Sequence, residues 1–72
     1  MPSFADRLKE LRKSKGITQK QTAESVGMSE RNYIDLEQGK FKPSHDNLLK
    51  LADFFDISLD YLTGRSDNPN RQ

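Results

Sequence analysis

The chain has 72 residues, with 12 Lys/Arg against 11 Asp/Glu, equal 32% shares of apolar and charged residues, and no cysteine. Such a chain has room for one domain and one small core but not for a deep catalytic cleft, and without disulfide or thiolate–metal staples its stability must come from helix packing. No apolar run approaches the roughly 18 residues of a membrane span, and the N-terminus lacks the apolar core of a secretory signal, so a soluble, cytoplasmic protein is expected.

The elements read as helices throughout. Ser3 begins a capping pattern with Asp6, and Phe4, Leu8 and Leu11 fall on one face of a first helix that runs to about Ser14. Gly16 is its expected left-handed end, and Ile17 should pack inward. Thr18 with Gln21 matches a capping box, so a second helix starts at Gln19 and ends near Val26, with Thr22, Ala23 and Val26 on one face. VGMS follows. Gly27 can take the left-handed conformation that ends this helix, Met28 covers the turn, and Ser29 caps the next by accepting a backbone N–H.

A third helix, from about Glu30 to Gln38, turns Tyr33 and Leu36 inward and is closed by Gly39. Pro43 forbids helix at Lys42, so KFKPS is a turn, and its lone apolar residue, Phe41, is expected to fold back on the domain. Ser44 caps a fourth helix whose Leu48, Leu51, Ala52 and Phe55 form a stripe, with Leu49 and Phe54 to its sides. Ser58 caps a short fifth helix, LDYLT, stopped by Gly64. The division is a domain over residues 1–65 and a frayed polar tail over 66–72.

Charge is unevenly spread. From Met1 to Lys42 there are nine Lys/Arg against six acids, whereas from Pro43 onward three face five. The basic half points toward a polyanion, although a tilt this small also arises on a solvated surface by chance. His45 is the only histidine, which leaves no set from which to build a metal cluster or a His-based catalytic group, and there is no glycine-rich phosphate loop. No enzyme activity, cofactor, metal or small-molecule ligand is expected.

LRKSKGITQKQTAESVGMS, IDLEQGKFKPS and LLKLADFFDISLDYLTG, each at its proper offset, together resemble the Cro/cI-type (XRE) helix-turn-helix family over Phe4–Gly64. The resemblance implies an all-α, five-helix, lambda-repressor-like domain with the helix-turn-helix at its second and third helices. It also implies binding of a double-stranded DNA operator as a symmetric homodimer, and transcriptional regulation, as a repressor, in bacteria or their phages. A second reading makes the same fold a protein-interaction module or antitoxin with weak DNA binding. Two positions depart from the family pattern: Thr22, where a larger aliphatic residue is usual, and Tyr33, where Ile or Val is more common. Thr22 can return its hydroxyl to a helix carbonyl, and Tyr33 is expected to reach past the core edge so that its O–H stays wet or bonds a phosphate.

Winding the third helix at about 100° per residue leaves Arg31 and Gln38 opposite the apolar pole, flanked by Ile34 and Asp35. Arg31 suits bidentate bonding to guanine, or else a surface pair with Asp35. Ser29, Glu30, Ile34 and Asp35 are the further candidates for base contact: carboxylates can accept from cytosine N4, and Ile34 can meet a thymine methyl or pack at the rim. Phosphate contacts are expected from Thr18 and Gln19 at the start of the second helix, and from Asn32, Gln38, Lys40 and Lys42. Glu37 lies half turned toward the core and wants a partner; the family resemblance supplies Arg12, as a structural ion pair. Leu59, Tyr61 and Leu62 of the fifth helix, with Phe54 nearby, exceed what one short helix needs for docking and are the expected dimer contact; the alternative is that Leu59 and Leu62 only close the core and Tyr61 is an ordinary surface residue.

Overall fold

The computed structural model describes residues 3–70 and consists of five helices: α1 (Phe4–Lys15), α2 (Gln19–Val26), α3 (Glu30–Glu37), α4 (His45–Phe55) and α5 (Leu59–Leu62). Local chemistry sets every start. Ser3, Thr18, Ser29, Ser44 and Ser58 are all extended N-caps whose hydroxyls accept a backbone N–H from the first turn. At Thr18 the box is reciprocal, because Gln21 Oε1 also accepts the Thr18 N–H at 2.9 Å. α1 runs one residue beyond the expected Ser14, and α3 stops one residue before Gln38, which instead forms its C-cap.

The helix ends are equally local. Gly27 sits at φ 73°, a conformation that strains any residue carrying a Cβ, and its N–H and that of Met28 satisfy the last carbonyls of α2. α4 ends differently, on Asp56 at φ 54°, the one non-glycine with positive φ among the described residues.

The helices close over one core of Leu8, Ala23, Val26, Tyr33, Leu36, Leu51, Ala52, Phe55, Ile57 and Leu62, with Phe4, Leu11, Met28, Leu48, Phe54, Leu59 and Tyr61 packed against its edge. α3 lies against both α2 and α1, and α4 closes the far side against α2 and α5. The result measures 28 × 22 × 21 Å. No helix among the described residues is long and apolar enough to cross a membrane.

Three expectations change. Tyr33 does not reach the surface: it is 0% exposed, the largest fully buried side chain of the core. The inward face of α2 explains this, since Thr22 and Ala23 are both small and leave volume for the ring. Phe41 does not fold in and stays 46% exposed. Residues 66–70, read from the sequence as a frayed tail, lie against the start of α5, where Ser58 N donates to Pro69 O at 3.0 Å and Arg7 faces Asp67 at 3.6 Å.

Candidate nucleic-acid interface

Beneath the helix-turn-helix lies a buried polar cluster. Glu37, 3% exposed, ends α3, and its carboxylate accepts from Arg12 Nε at 2.6 Å, Arg12 Nη2 at 3.2 Å and Gln19 Nε2 at 3.1 Å. Arg12 Nη1 also donates to the Ile17 carbonyl at 3.0 Å, so one guanidinium ties α1, the α1–α2 turn and α3 together. Burial by itself would raise the Glu37 carboxyl. Donation from Arg12, the dipole of the nearby Tyr33 hydroxyl, donation from the Gln19 amide and the arginine charge outweigh it and hold the pKa below the ordinary value. Hydrogen bonding to Glu37 correspondingly raises Arg12.

The Tyr33 hydroxyl is the loose member of this cluster. It is buried without a well-formed hydrogen bond, and its pKa is raised by burial and then by the Glu37 carboxylate. Thr22 is satisfied, since its hydroxyl donates to the Thr18 carbonyl at 2.9 Å.

On the outer side, Ser29, Glu30, Arg31 and Asn32 are exposed, whereas Ile34 and Asp35 are half-buried. Ser29 Oγ is committed as an acceptor to Asn32 N at 3.1 Å, which leaves its O–H free to donate outward. The Arg31–Asp35 surface pair, the alternative reading of Arg31, does not form: Asp35 faces Lys40 at 3.7 Å instead. The turn causes this, because Lys40 N donates to Asp35 O at 3.0 Å and brings the lysine stem alongside. Arg31 is paired with no described residue and projects freely from the first turn of α3.

The flanks are polar. Thr18 is exposed at the α2 cap, and Gln19 is half-buried with its amide turned to Glu37, which keeps one side-chain N–H, Oε1 and its backbone N–H for an outside partner. Gln38, Lys40 and Lys42 are exposed at the other end of α3. Along the face from Thr18 to Lys42, free donors and one free guanidinium surround a helix end, an arrangement suited to a phosphate-rich groove.

The expected dimer residues divide. Leu62 is 0% exposed and closes the core from α5, so it is not available to a second copy. Phe54, Leu59 and Tyr61 are half-buried, with Phe54 packed edge-on against Phe55 at 5.0 Å. Sequence reasoning missed Arg7, which is 6% exposed and lies 3.9 Å over the Tyr61 ring. Its spacing, three after Phe4 and four before Leu11, places it on the apolar face of α1 and is the signal that finds it.

The chain is similar to known helix-turn-helix proteins in both sequence and fold. The family model described as "Helix-turn-helix" matches residues 8–62. The uncharacterized HTH-type transcriptional regulator YobD of Bacillus subtilis is 37% identical over 67 residues, covering 93% of this chain and 60% of the relative. The HTH-type transcriptional regulator ImmR of the same species is 38% identical over 65 residues, 90% of this chain and 51% of that protein. The chain thus spans between half and two thirds of the length of these curated relatives. Among solved structures, the P22 c2 repressor bound to a synthetic operator superposes with a TM-score of 0.85 at 27% identity, over 92% of this chain and all of that one. With the capped α2–turn–α3 unit, the core that holds it and these likenesses in agreement, the chain belongs to the helix-turn-helix family.

Proposed function

We propose that this chain is a sequence-specific duplex-DNA-binding regulator of transcription, a repressor of bacterial or phage type that works in the cytoplasm and docks α3 in the major groove of its operator. One observation carries the reading: the outer face of α3 presents a free Arg31 between two polar flanks, while a buried ion pair holds the helix from behind. Arg31 is the base reader, bonding guanine O6 and N7 together. Glu30, Ser29 and the outer edges of Ile34 and Asp35 contact neighbouring bases. Thr18, Gln19, Asn32, Gln38, Lys40 and Lys42 contact phosphates and fix the register. The P22 c2 repressor was solved on an operator, which supports the same mode for a chain of this fold.

One domain of this size touches few base pairs, so the active species is a symmetric homodimer on half-sites about one helical turn apart. Phe54, Leu59 and Tyr61 form the contact, with Leu62 serving the core behind them. Selection from random duplexes, followed by binding titrations in increasing salt, tests the proposal. Affinity should fall steeply with salt, and Arg31→Ala should remove about 1–3 kcal/mol of discrimination at one guanine per half-site. A folded sample that binds no duplex at low salt excludes the reading and returns the fold to a protein-interaction role.

A further inference from the structure

Two large apolar side chains among the described residues stay exposed, Phe41 at 46% and Leu49 at 40%. Leu49 sits on α4, apart from the helix-turn-helix. Phe41 stands in the α3–α4 turn, immediately after the helix that faces the groove in the proposed docking. With Phe4, Ala5 and Pro43 it lines a cleft of about 540 Å³ between the first turn of α1 and that turn. Lys40 and Lys42 stand at its rim, and no carboxylate is among its lining residues. Lys42 is paired with no described residue, so the rim carries uncompensated positive charge. An apolar floor between the unpaired Lys42 and Lys40, whose charge is shared with Asp35 at 3.7 Å, matches an apolar ring flanked by anions, which is the repeat of a sugar–phosphate strand.

We propose that this cleft receives one deoxyribose of the operator backbone flanking each half-site, with the sugar against Phe41 and the adjoining phosphates on Lys42 and Lys40. The inference rests on the proposed duplex binding and adds to it a contact that is apolar and indifferent to sequence. An acidic peptide would satisfy the same rim charges, but the cleft is lined by Gly39 and Lys40, which follow directly on the end of α3, where the proposed docking brings the duplex. The contact has a signature that separates it from the lysines beside it. Burying apolar surface releases no counterions, so Phe41 contributes affinity without contributing salt dependence.

The experiment uses the whole chain and a selected operator duplex. Phe41→Ala should weaken binding about fivefold per bound domain, equally for the operator and a scrambled duplex, with the slope of log K against log salt unchanged. Phe41→Leu should keep most of the affinity. Lys42→Ala should instead reduce the salt slope by about one. Hydroxyl-radical footprinting reads sugar burial directly: one sugar beyond each half-site should be protected by the parent chain and exposed in Phe41→Ala, with the rest of the footprint unchanged. Equal affinity and an identical footprint for the parent and Phe41→Ala overturn the inference while leaving duplex binding intact. A Phe41→Ala chain that loses binding only in proportion to a lowered melting temperature overturns it as well, because Phe41 would then be packing. Absence of duplex binding by the folded parent removes both readings.

Discussion

Replacing Arg12 with methionine keeps the length of the side-chain stem and removes the charge. Glu37 then loses two of its three bonds, those from Arg12 Nε at 2.6 Å and Nη2 at 3.2 Å, and keeps only Gln19 Nε2 at 3.1 Å. The Glu37 side chain is 1% exposed and the Arg12 side chain 14%, so water can replace little of what is removed. Breaking a buried pair from one side costs about 3–5 kcal/mol. A ceiling applies at neutral pH, because the stranded carboxyl can take up a proton instead; from an ordinary value near 4.3 that costs ~3.7 kcal/mol at pH 7. A loss of about 3–4 kcal/mol is therefore expected, much of the roughly 4–10 kcal/mol that holds a domain of this length.

The sign of the pH dependence follows from the same pair. In the parent, Glu37 is held below its unfolded value, so its contribution is complete above about pH 4.3 and is lost as pH falls through the lower folded value. Without Arg12, burial raises the carboxyl, and the variant gains stability relative to the parent as pH falls from 7. Urea unfolding followed by circular dichroism at pH 7, 5.5 and 4 should show the two stabilities converging toward acid. A loss below 1 kcal/mol at pH 7, or a gap that does not change with pH, refutes the reasoning. Should Arg12→Met be unfolded in water, the double variant Arg12→Met/Glu37→Met, which removes both charges, should refold and recover most of the loss.

Tyr33→Phe deletes a buried hydroxyl that lacks a well-formed bond, so thermal melts at pH 7 should show a change within about 1 kcal/mol of the parent in either direction. Because the Tyr33 pKa is raised, the parent should lose stability as pH rises above about 10, and the phenylalanine variant should be spared that part of the loss. Leu62→Ala should cost about 2–5 kcal/mol through a core cavity, read as a lowered urea midpoint; a near-neutral result would move Leu62 out of the core. Leu59→Ser, at the half-buried edge, should shift sedimentation from dimer toward monomer in a folded sample, and an unchanged mass removes this face as the dimer contact.

The helix ends were legible because each depends on residues within one turn: a Ser or Thr side chain meets an N–H three residues on, and at every end but that of α4, which closes on Asp56, a glycine meets the carbonyls behind it. Arg12 and Glu37 came together as the family resemblance implied, 25 positions apart. Tyr33 was misread because its depth depends on what faces it, and only packing reveals that Thr22 and Ala23 leave room for a phenol. Asp35 has a different partner from the one the Arg31 surface pair would give it, for a similar reason. Helical spacing offers it Arg31, four residues back, but the turn after α3 carries Lys40 closer, a choice made by backbone hydrogen bonds outside the helix. Leu62 illustrates a limit of hydropathy: three apolar residues in one turn show that the turn is buried, not which of them faces the core and which a partner.

The Asp35–Lys40 pair changes the electrostatics of the proposed reading face. Two carboxylates there, Glu30 and Asp35, would both repel phosphates if both were free. Asp35 is half-buried and faces an ammonium at 3.7 Å, so its field at the duplex is reduced, and Lys40 loses part of its attraction for phosphate in exchange. Glu30 forms no ion pair with a described residue, but it occupies the first turn of α3, where the helix dipole favours a negative charge. The net field of the proposed face is then set by Arg31 in the first turn of α3 and Lys42 in the turn after it, offset by Glu30. Between them, Gln19 is drawn toward Glu37 from the start of α2, and the same carboxylate is bound to Arg12 of α1. A phosphate bound at Gln19 therefore pulls on the group that orients α3. In the proposed docking, clamp and reader would be coupled through Glu37, so weakening the pair should blur base selection as well as lower stability.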